Sequence, residues 1–191
     1  MQEISVSIRP AETSDAIGLA RVQIETWRDA YVGVMPDATL VDLDEIRAAV
    51  RWTRLVSGLE EPERLSVAVA DGDAIGFCHG GPGRRSMRLA TEAGERMGEV
   101  YALYVDPNFQ SLGIGRALLG DVAQGLESDG FEGLTILTLE GNRHARRFYE
   151  TLGGAPGGTV PSVVSGVPVD QTPYAWPDIS VLVRRIETAD G

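Results

Sequence analysis

Hydrophobic positions step by three and four at Ile17, Ala20, Ile24, Trp27 and Tyr31, which predicts an amphipathic helix with one apolar stripe. Thr13 or Ser14 is placed to cap its start, and Pro36 to end it. A second stripe, Leu43, Ile46, Val50 and Leu55, predicts another helix. Ahead of both, residues 4–8 alternate and predict a first or edge strand. The period then falls to two. Leu65–Ala70 and Ala74–His79 flank Asp71-Gly72-Asp73, a hairpin signal. Residues 80–98 are rich in Gly and Arg without periodicity and predict a loop or mobile strand connection. Glu99–Val105 predicts a strand stopped by Asp106-Pro107. A helix with Leu118, Leu119, Val122 and Leu126 on one side follows, then a strand over residues 133–139 and a helix over Asn142–Leu152. Gly153 to Pro177 predicts irregular chain, and Ile179–Ile186 a closing strand. With no repeat and no linker, residues 1–191 read as one domain. Strands interspersed with helices predict an α/β or α+β sheet, and the hairpin argues against an all-parallel one.

Composition narrows the class of protein. Hydrophobic residues make up 43% of the 191, enough for a substantial core. No apolar run approaches the ~20 residues of a membrane span, and MQEISVSIRP lacks the basic start and apolar stretch of a secretory signal, so a cytoplasmic location is expected. The formal net charge of −11 disfavours nucleic acid as a partner; it suits solubility first and attraction of a cationic substrate second. All 17 basic residues are arginine. The single cysteine, Cys78, sits in an apolar run and reads as a buried core residue. His79 and His144 are far apart, with no cysteine cluster and no metal-ligand spacing, so no metal is expected.

Gln110-Ser111-Leu112-Gly113-Ile114-Gly115 lies between a predicted strand and a predicted helix. A helix start offers unpaired N–H groups and a partial positive charge, and glycines let an anion approach the backbone. Arg116 adds a formal charge. Three phosphate-binding patterns compete here. A P-loop needs Gly-Lys, and the chain has no lysine. A dinucleotide fingerprint needs GxGxxG, but Gly113 and Gly115 are followed by Gly120 at the wrong spacing, which disfavours a dinucleotide oxidoreductase.

The third pattern is Gln-x-x-Gly-x-Gly after a strand and a proline turn. YALYVDPNFQSLGIGRALL closely resembles the cofactor loop of the GNAT superfamily of N-acetyltransferases, and LTLEGNRHARRFYETLGG resembles that family's next strand and helix. The resemblance covers roughly residues 4–155. It implies a single-domain mixed sheet of about seven strands flanked by helices and splayed between the fourth and fifth. It further implies that acetyl-CoA is the co-substrate. Its pantetheine arm would bond the backbone at Leu103, Tyr104 and Val105. Its pyrophosphate would take N–H groups from Gln110, Ser111, Leu112, Gly113, Ile114 and Gly115, together with Arg116. Asn142 and Ala145 would meet the arm from the other side. Arg143, Arg146 and Arg147 add positive charge near that helix start, either for the phosphorylated ligand or as ordinary solvated helix charge.

Acetyl transfer from a thioester to an amine needs a deprotonated amine, a donor for the developing oxyanion and a proton for the departing thiolate. Glu99 resembles the base of the protein-acetylating branch, and strict alternation would put it on one face with Tyr101, Leu103 and Val105. Tyr149, two helical turns beyond Asn142, is the candidate acid. Backbone N–H near Val105 would polarise the thioester carbonyl. No nucleophile-elbow motif is present, so direct transfer is expected. Trp27 and Tyr31 at the end of the first helix could wall an acceptor pocket with cation–π attraction for an ammonium, or could simply pack in the core. Gly153-Gly154 stands where the family commonly has Gly-Phe. The expected partner is therefore a small-molecule or peptide amine, with no membrane partner, and a homodimer is common on this fold. The competing reading from another class is a non-catalytic acyl-CoA-binding sensor of the same fold.

Overall fold

Alternating residues and one tight turn start the sheet. In the computed structural model, which describes residues 5–84 and 96–188, β1 (Val6–Pro10) pairs antiparallel with β2 (Arg64–Ala70), and β2 with β3 (Asp73–Pro82). Asp71 and Gly72 take φ values of 52° and 91°, the twist a two-residue hairpin turn requires. β3 runs antiparallel to β4 (Met97–Val105), and β4 runs parallel to β5 (Gly133–Leu139). The sheet therefore mixes both senses. β8 (Val167–Trp176) pairs with β5 on one edge and with β6 (Ala155–Pro156) and β7 (Val160–Val164) on the other. The sheet has eight strands, one more than the seven or so expected.

Two layers of helix close it. α1 (Ala16–Ala30) and α3 (Glu45–Ser57) cover one face, burying Leu19, Val22, Ala48 and Trp52 against Val67 and Phe77. α4 (Ile114–Ser128) and α6 (Ile179–Glu187) cover the other, with Leu118, Leu119, Val122, Leu126 and Leu182 in the core. The short α2 (Asp37–Val41) and α5 (Arg143–Thr151) flank the ends of the strands. No helix among the described residues is long and apolar enough to cross a membrane.

Several expectations need correction. The entry to α1 is fastened by Glu12 and Asp15, not by Thr13 or Ser14; the Glu12 N–H donates to Asp15 over 2.8 Å. α1 ends at Ala30, ahead of Pro36, and Ile17 faces solvent. α3 turns a different face inward than its aliphatic stripe suggested. Ala48 and Trp52 are buried, while Ile46 is 78% exposed and Val50 is also exposed. The Trp52 indole packs edge-on to Phe77 and donates to Gln23, so burying it satisfies both its apolar ring and its N–H. Residues 153–177 are largely β-structure, not irregular chain. Ile179–Glu187 is a helix, not a strand. Asp178 caps it through the Ser180 N–H, and Ile179, Leu182, Val183 and Ile186 recur at helical spacing to form the buried face. The unpatterned stretch over 80–98 resolves at both ends into strand, with β3 reaching Pro82 and β4 starting at Met97; residues 85–95 lie outside the described residues.

Two irregularities in β4 reshape the middle of the sheet. Ala102 faces His79 and Val100 faces Gly80 across the ladder, so Tyr101 is an extra residue with no partner in β3. The β4–β5 ladder, in turn, pairs only Met97–Val100 with Gly133–Ile136, and beyond that the two strands part.

Candidate active site

The parting of β4 and β5 opens a cavity of about 680 Å³. Its walls come from the end of α1 (Thr26, Asp29, Tyr31), from Tyr101–Val105 of β4, from Ile136, Leu137 and Thr138 of β5, from the loop before α4, and from α5. The antiparallel alternation explains what β4 presents to it. The Asp106 N–H donates to the Ile75 carbonyl at 2.9 Å, which makes that pair a hydrogen-bonded one. Val105 and Leu103 are then the non-bonded positions relative to β3, so their N–H and C=O groups turn towards the gap. The Val105 carbonyl is taken by the Thr26 hydroxyl and the Gln110 amide, each at 3.1 Å. Tyr104, opposite Phe77, directs its backbone to β3 and reaches the cavity through its side chain.

The loop before α4 is shaped by its own turn chemistry and opens a helix start onto the cavity. The Asp106 carboxylate accepts from the Asn108 N–H at 2.9 Å and sets the turn Pro107–Phe109. Ser111 and Gly113 follow with φ of 63° and 83°. Gly113 is the residue immediately before α4, and its left-handed φ is a conformation that glycine takes without strain. The first N–H groups of a fifteen-residue helix therefore open next to the cavity, with Gly115 and Arg116 in its wall. Gly115 has room for no more than ordinary contact, since a Cβ there would stand 3.6 Å from Val105 and 3.8 Å from Phe148.

On the opposite wall, the Asn142 side chain caps α5 by accepting from the Ala145 N–H at 3.0 Å. Tyr149 is 5% exposed, packed against Phe148, Tyr174 and Trp176, and lines the cavity. Burial raises its phenol pKa well above the ordinary value, so it is fully protonated at neutral pH. Tyr31 is likewise pushed up, chiefly by burial, with the Tyr104 hydroxyl adding to the effect and Asn142 opposing it. The loop after α1 closes over this end: a Cβ on Gly141 would fall 2.8 Å from Val34, so only glycine permits the approach.

Of the residues singled out from sequence, Tyr31, Leu103, Tyr104, Val105, Gln110, Ser111, Gly113, Gly115, Arg116, Asn142, Ala145 and Tyr149 meet around this one cavity. Leu112, Ile114, Trp27, Arg146 and Glu99 do not contribute to its wall. Leu112 is exposed and Ile114 turns its side chain into the core. Arg146 points away, to the Tyr174 hydroxyl and the Glu140 carbonyl. Trp27 packs edge-on to Tyr31 in an apolar cluster with Met35, Leu40 and Leu139, and its indole N–H is buried with no hydrogen-bond partner among the described residues.

Glu99 departs furthest from the alternation argument. The extra residue Tyr101 shifts the phase of β4, so Val100 shares the α4 side with Leu103 and Val105, and Glu99 falls on the other side with Ala102 and Tyr104. Glu99 is wholly buried. Its carboxylate accepts from the Arg84 N–H at 2.9 Å and from the Arg84 side chain through Nε at 2.8 Å and Nη2. Tyr101 stands between this pair and the cavity, with its hydroxyl donating to the Pro82 carbonyl at 2.6 Å. Burial and the nearby carboxylates push its phenol up to about 12. Asp29, Thr26, Tyr101 and Arg84 were not singled out by sequence. A bulge leaves no compositional mark, and the Arg84–Glu99 pair joins segments fifteen residues apart.

Among the described residues no group of three or more His, Cys, Asp or Glu side chains could hold a metal ion. A family model described as "Acetyltransferase (GNAT) family" matches residues 19–154. The uncharacterized N-acetyltransferase YuaI of Bacillus subtilis is 28% identical over 178 residues, 93% of this chain and 96% of that protein. A mycothiol acetyltransferase of Acidothermus cellulolyticus is 36% identical over 154 residues; these are 72% of this chain but 46% of that protein, so the likeness spans about half of the relative's length. Among solved structures, YncA of Salmonella typhimurium with its cofactor acetyl-CoA superposes with a TM-score of 0.64 at 20% identity, covering 90% of this chain and 92% of that one.

Proposed function

The chain belongs to the acetyltransferase (GNAT) family, and from that premise we propose that it moves an acetyl group from acetyl-CoA directly to a primary amine in the gap between β4 and β5, with Tyr149 as acid and Glu99 as base. The observation that carries this reading is the parting of β4 from β5 beside the loop at 110–115. It exposes the backbone of Leu103 and Val105 on one side and the start of α4 at its mouth. Acetyl-CoA supplies the acyl group as a thioester.

The residues present suit that ligand. N–H groups from Gln110 to Gly115 and the guanidinium of Arg116 would hold the pyrophosphate, with Arg143 and Arg147 of the cavity wall adding charge. Leu103 and the Val105 N–H would bond the pantetheine amides, and Asn142 and Ala145 would flank it. Tyr149, protonated and buried in the wall, would give its proton to the departing sulfur. An alkyl amine has a pKa of about 10.4 and reaches the site charged, so one proton must leave it before attack. Glu99 lies behind Tyr101, so that proton would travel through water past the Tyr101 hydroxyl. Tyr31, Tyr101 and Asp29 would face the ammonium as it enters.

The test is thiol release from acetyl-CoA across a panel of primary amines, with the acetylated product identified by mass spectrometry, for wild type, E99Q and D29N. The reading expects amine-dependent release that E99Q lowers by about 10² or more and D29N does not. A strong loss in D29N with little in E99Q would move the base to Asp29. Tight acetyl-CoA binding with no release on any amine would favour the sensor reading instead.

A further inference from the structure

The densest charged contact near the cavity involves a residue that lines no part of it. Arg84 follows β3 by two positions and folds back over the bulge of β4. Three of its N–H groups are directed at Glu99: the main-chain N–H to Oε2, and Nε and Nη2 to Oε1. The guanidinium carbon also stands 5.0 Å from the centre of the Tyr101 ring. Tyr101 in turn is fastened to Pro82, two residues before Arg84. One short segment thus grips both the carboxylate and the aromatic ring that separates it from the cavity.

Glu99 has no exposure, and a carboxylate taken out of water needs a countercharge and hydrogen-bond donors to offset the lost hydration. The groups around Glu99 leave that work to Arg84. Across β3, Gly81 faces Glu99, and the Glu63 side chain crowds that glycine, adding negative charge. His79 stands 3.4 Å from the Glu63 carboxylate and 4.8 Å, ring to ring, from Tyr101; burial lowers its pKa, so it is neutral at pH 7. On the β5 side, Thr135 faces Glu99 and bonds the Gly98 carbonyl, bringing no charge.

Resting on the reading of Glu99 as base, we infer that Arg84 is a positioning residue of the reaction, which orients the Glu99 carboxylate and holds Tyr101 in place, so that Glu99 can accept the amine's proton. Arg84 itself touches no substrate. Its loss acts on the proton transfer and leaves the binding of acetyl-CoA alone.

The pH dependence of kcat/KM separates this from a purely structural role. In R84M the acid limb should move to higher pH by about one unit or more, because the buried carboxylate loses its countercharge. Activity at pH 6.5 should fall severalfold and recover by pH 9, with the acetyl-CoA KM changed less than twofold. R84K keeps a charge but loses the fork, and its limb should lie between the two. An unmoved limb in R84M, or a variant faster than wild type across the whole range, overturns the inference. Should R84M fail to fold, the same reading is taken from R84K, where an unmoved limb is equally decisive. E99Q isolates the underlying assignment. If it retains wild-type rates, Glu99 is not the base and the inference falls with it. If it is inactive and the Arg84 limb does not move, only the role of Arg84 is wrong.

Discussion

The Thr26 hydroxyl donates to the Val105 carbonyl over 3.1 Å, which ties α1 to the last residue of β4 at the lip of the cavity. The same carbonyl accepts from Gln110, so helix, strand and the loop before α4 meet on one oxygen. Thr26→Val keeps the shape and removes one donor, at a cost of about 1 kcal/mol, because the carbonyl retains its second partner. Denaturant unfolding should show that loss, and the acetyl-CoA KM should rise about two- to fivefold as the lip loosens, with kcat nearly unchanged. A kcat loss larger than the KM change would mean that Thr26 does more than hold the lip.

Gly113 sits at φ 83° with nothing within 4 Å of where a Cβ would be. Gly113→Ala therefore tests backbone conformation without steric interference. The left-handed penalty for an L-residue predicts about 1–2 kcal/mol of destabilisation. A several-fold rise in the acetyl-CoA Kd should accompany it as the N–H groups at the start of α4 shift. Calorimetric titration measures the affinity, and an unchanged Kd would remove the loop from the cofactor site.

α3 shows how a sequence pattern can point to the wrong side of a helix. Trp52→Ala should cost about 3–5 kcal/mol, and Ile46→Ser should change stability by less than about 0.5 kcal/mol. Urea unfolding of the two variants compares them directly. The reverse ranking would restore the aliphatic stripe as the buried face.

Cys78 is fully buried in the α4 side of the core, and burial pushes its thiol pKa far above the ordinary range. A disulfide reagent at pH 8 should leave it untouched in the native protein and titrate one thiol per chain after denaturation. Rapid native labelling would contradict this packing.

What the sequence revealed depended on how local the cause was. The hairpin at Asp71-Gly72 and the helix after Gly113 follow from turn chemistry and period within a dozen residues, and both stand where expected. The places of the loop at 110–115 and of Tyr149 in the wall of one cavity follow for the same reason, because each lies inside its own strand–loop–helix unit. Ile179–Ile186 reads as a strand because it is rich in β-branched residues, but its capping by Asp178 and its packing on α4 outweigh that preference. β7 and β8 form a local hairpin about Ser165-Gly166, with φ of 50° and 79°, and the Pro and Gly residues in and around both strands mask its alternation. Glu99 was placed on the wrong face because alternation assumes an unbroken ladder, and Tyr101 breaks it.

The sharpest test of the proposed transfer is the turnover of Tyr149→Phe against its binding of acetyl-CoA. The substitution keeps the ring that packs on Phe148, Tyr174 and Trp176 and removes only the hydroxyl. Amine-dependent thiol release at saturating acetyl-CoA should fall by about 10²-fold, while the Kd for acetyl-CoA changes less than about twofold. Wild-type turnover in Tyr149→Phe would contradict the assignment of this residue as the acid. An absence of amine-dependent thiol release in the wild-type protein would contradict the transfer itself.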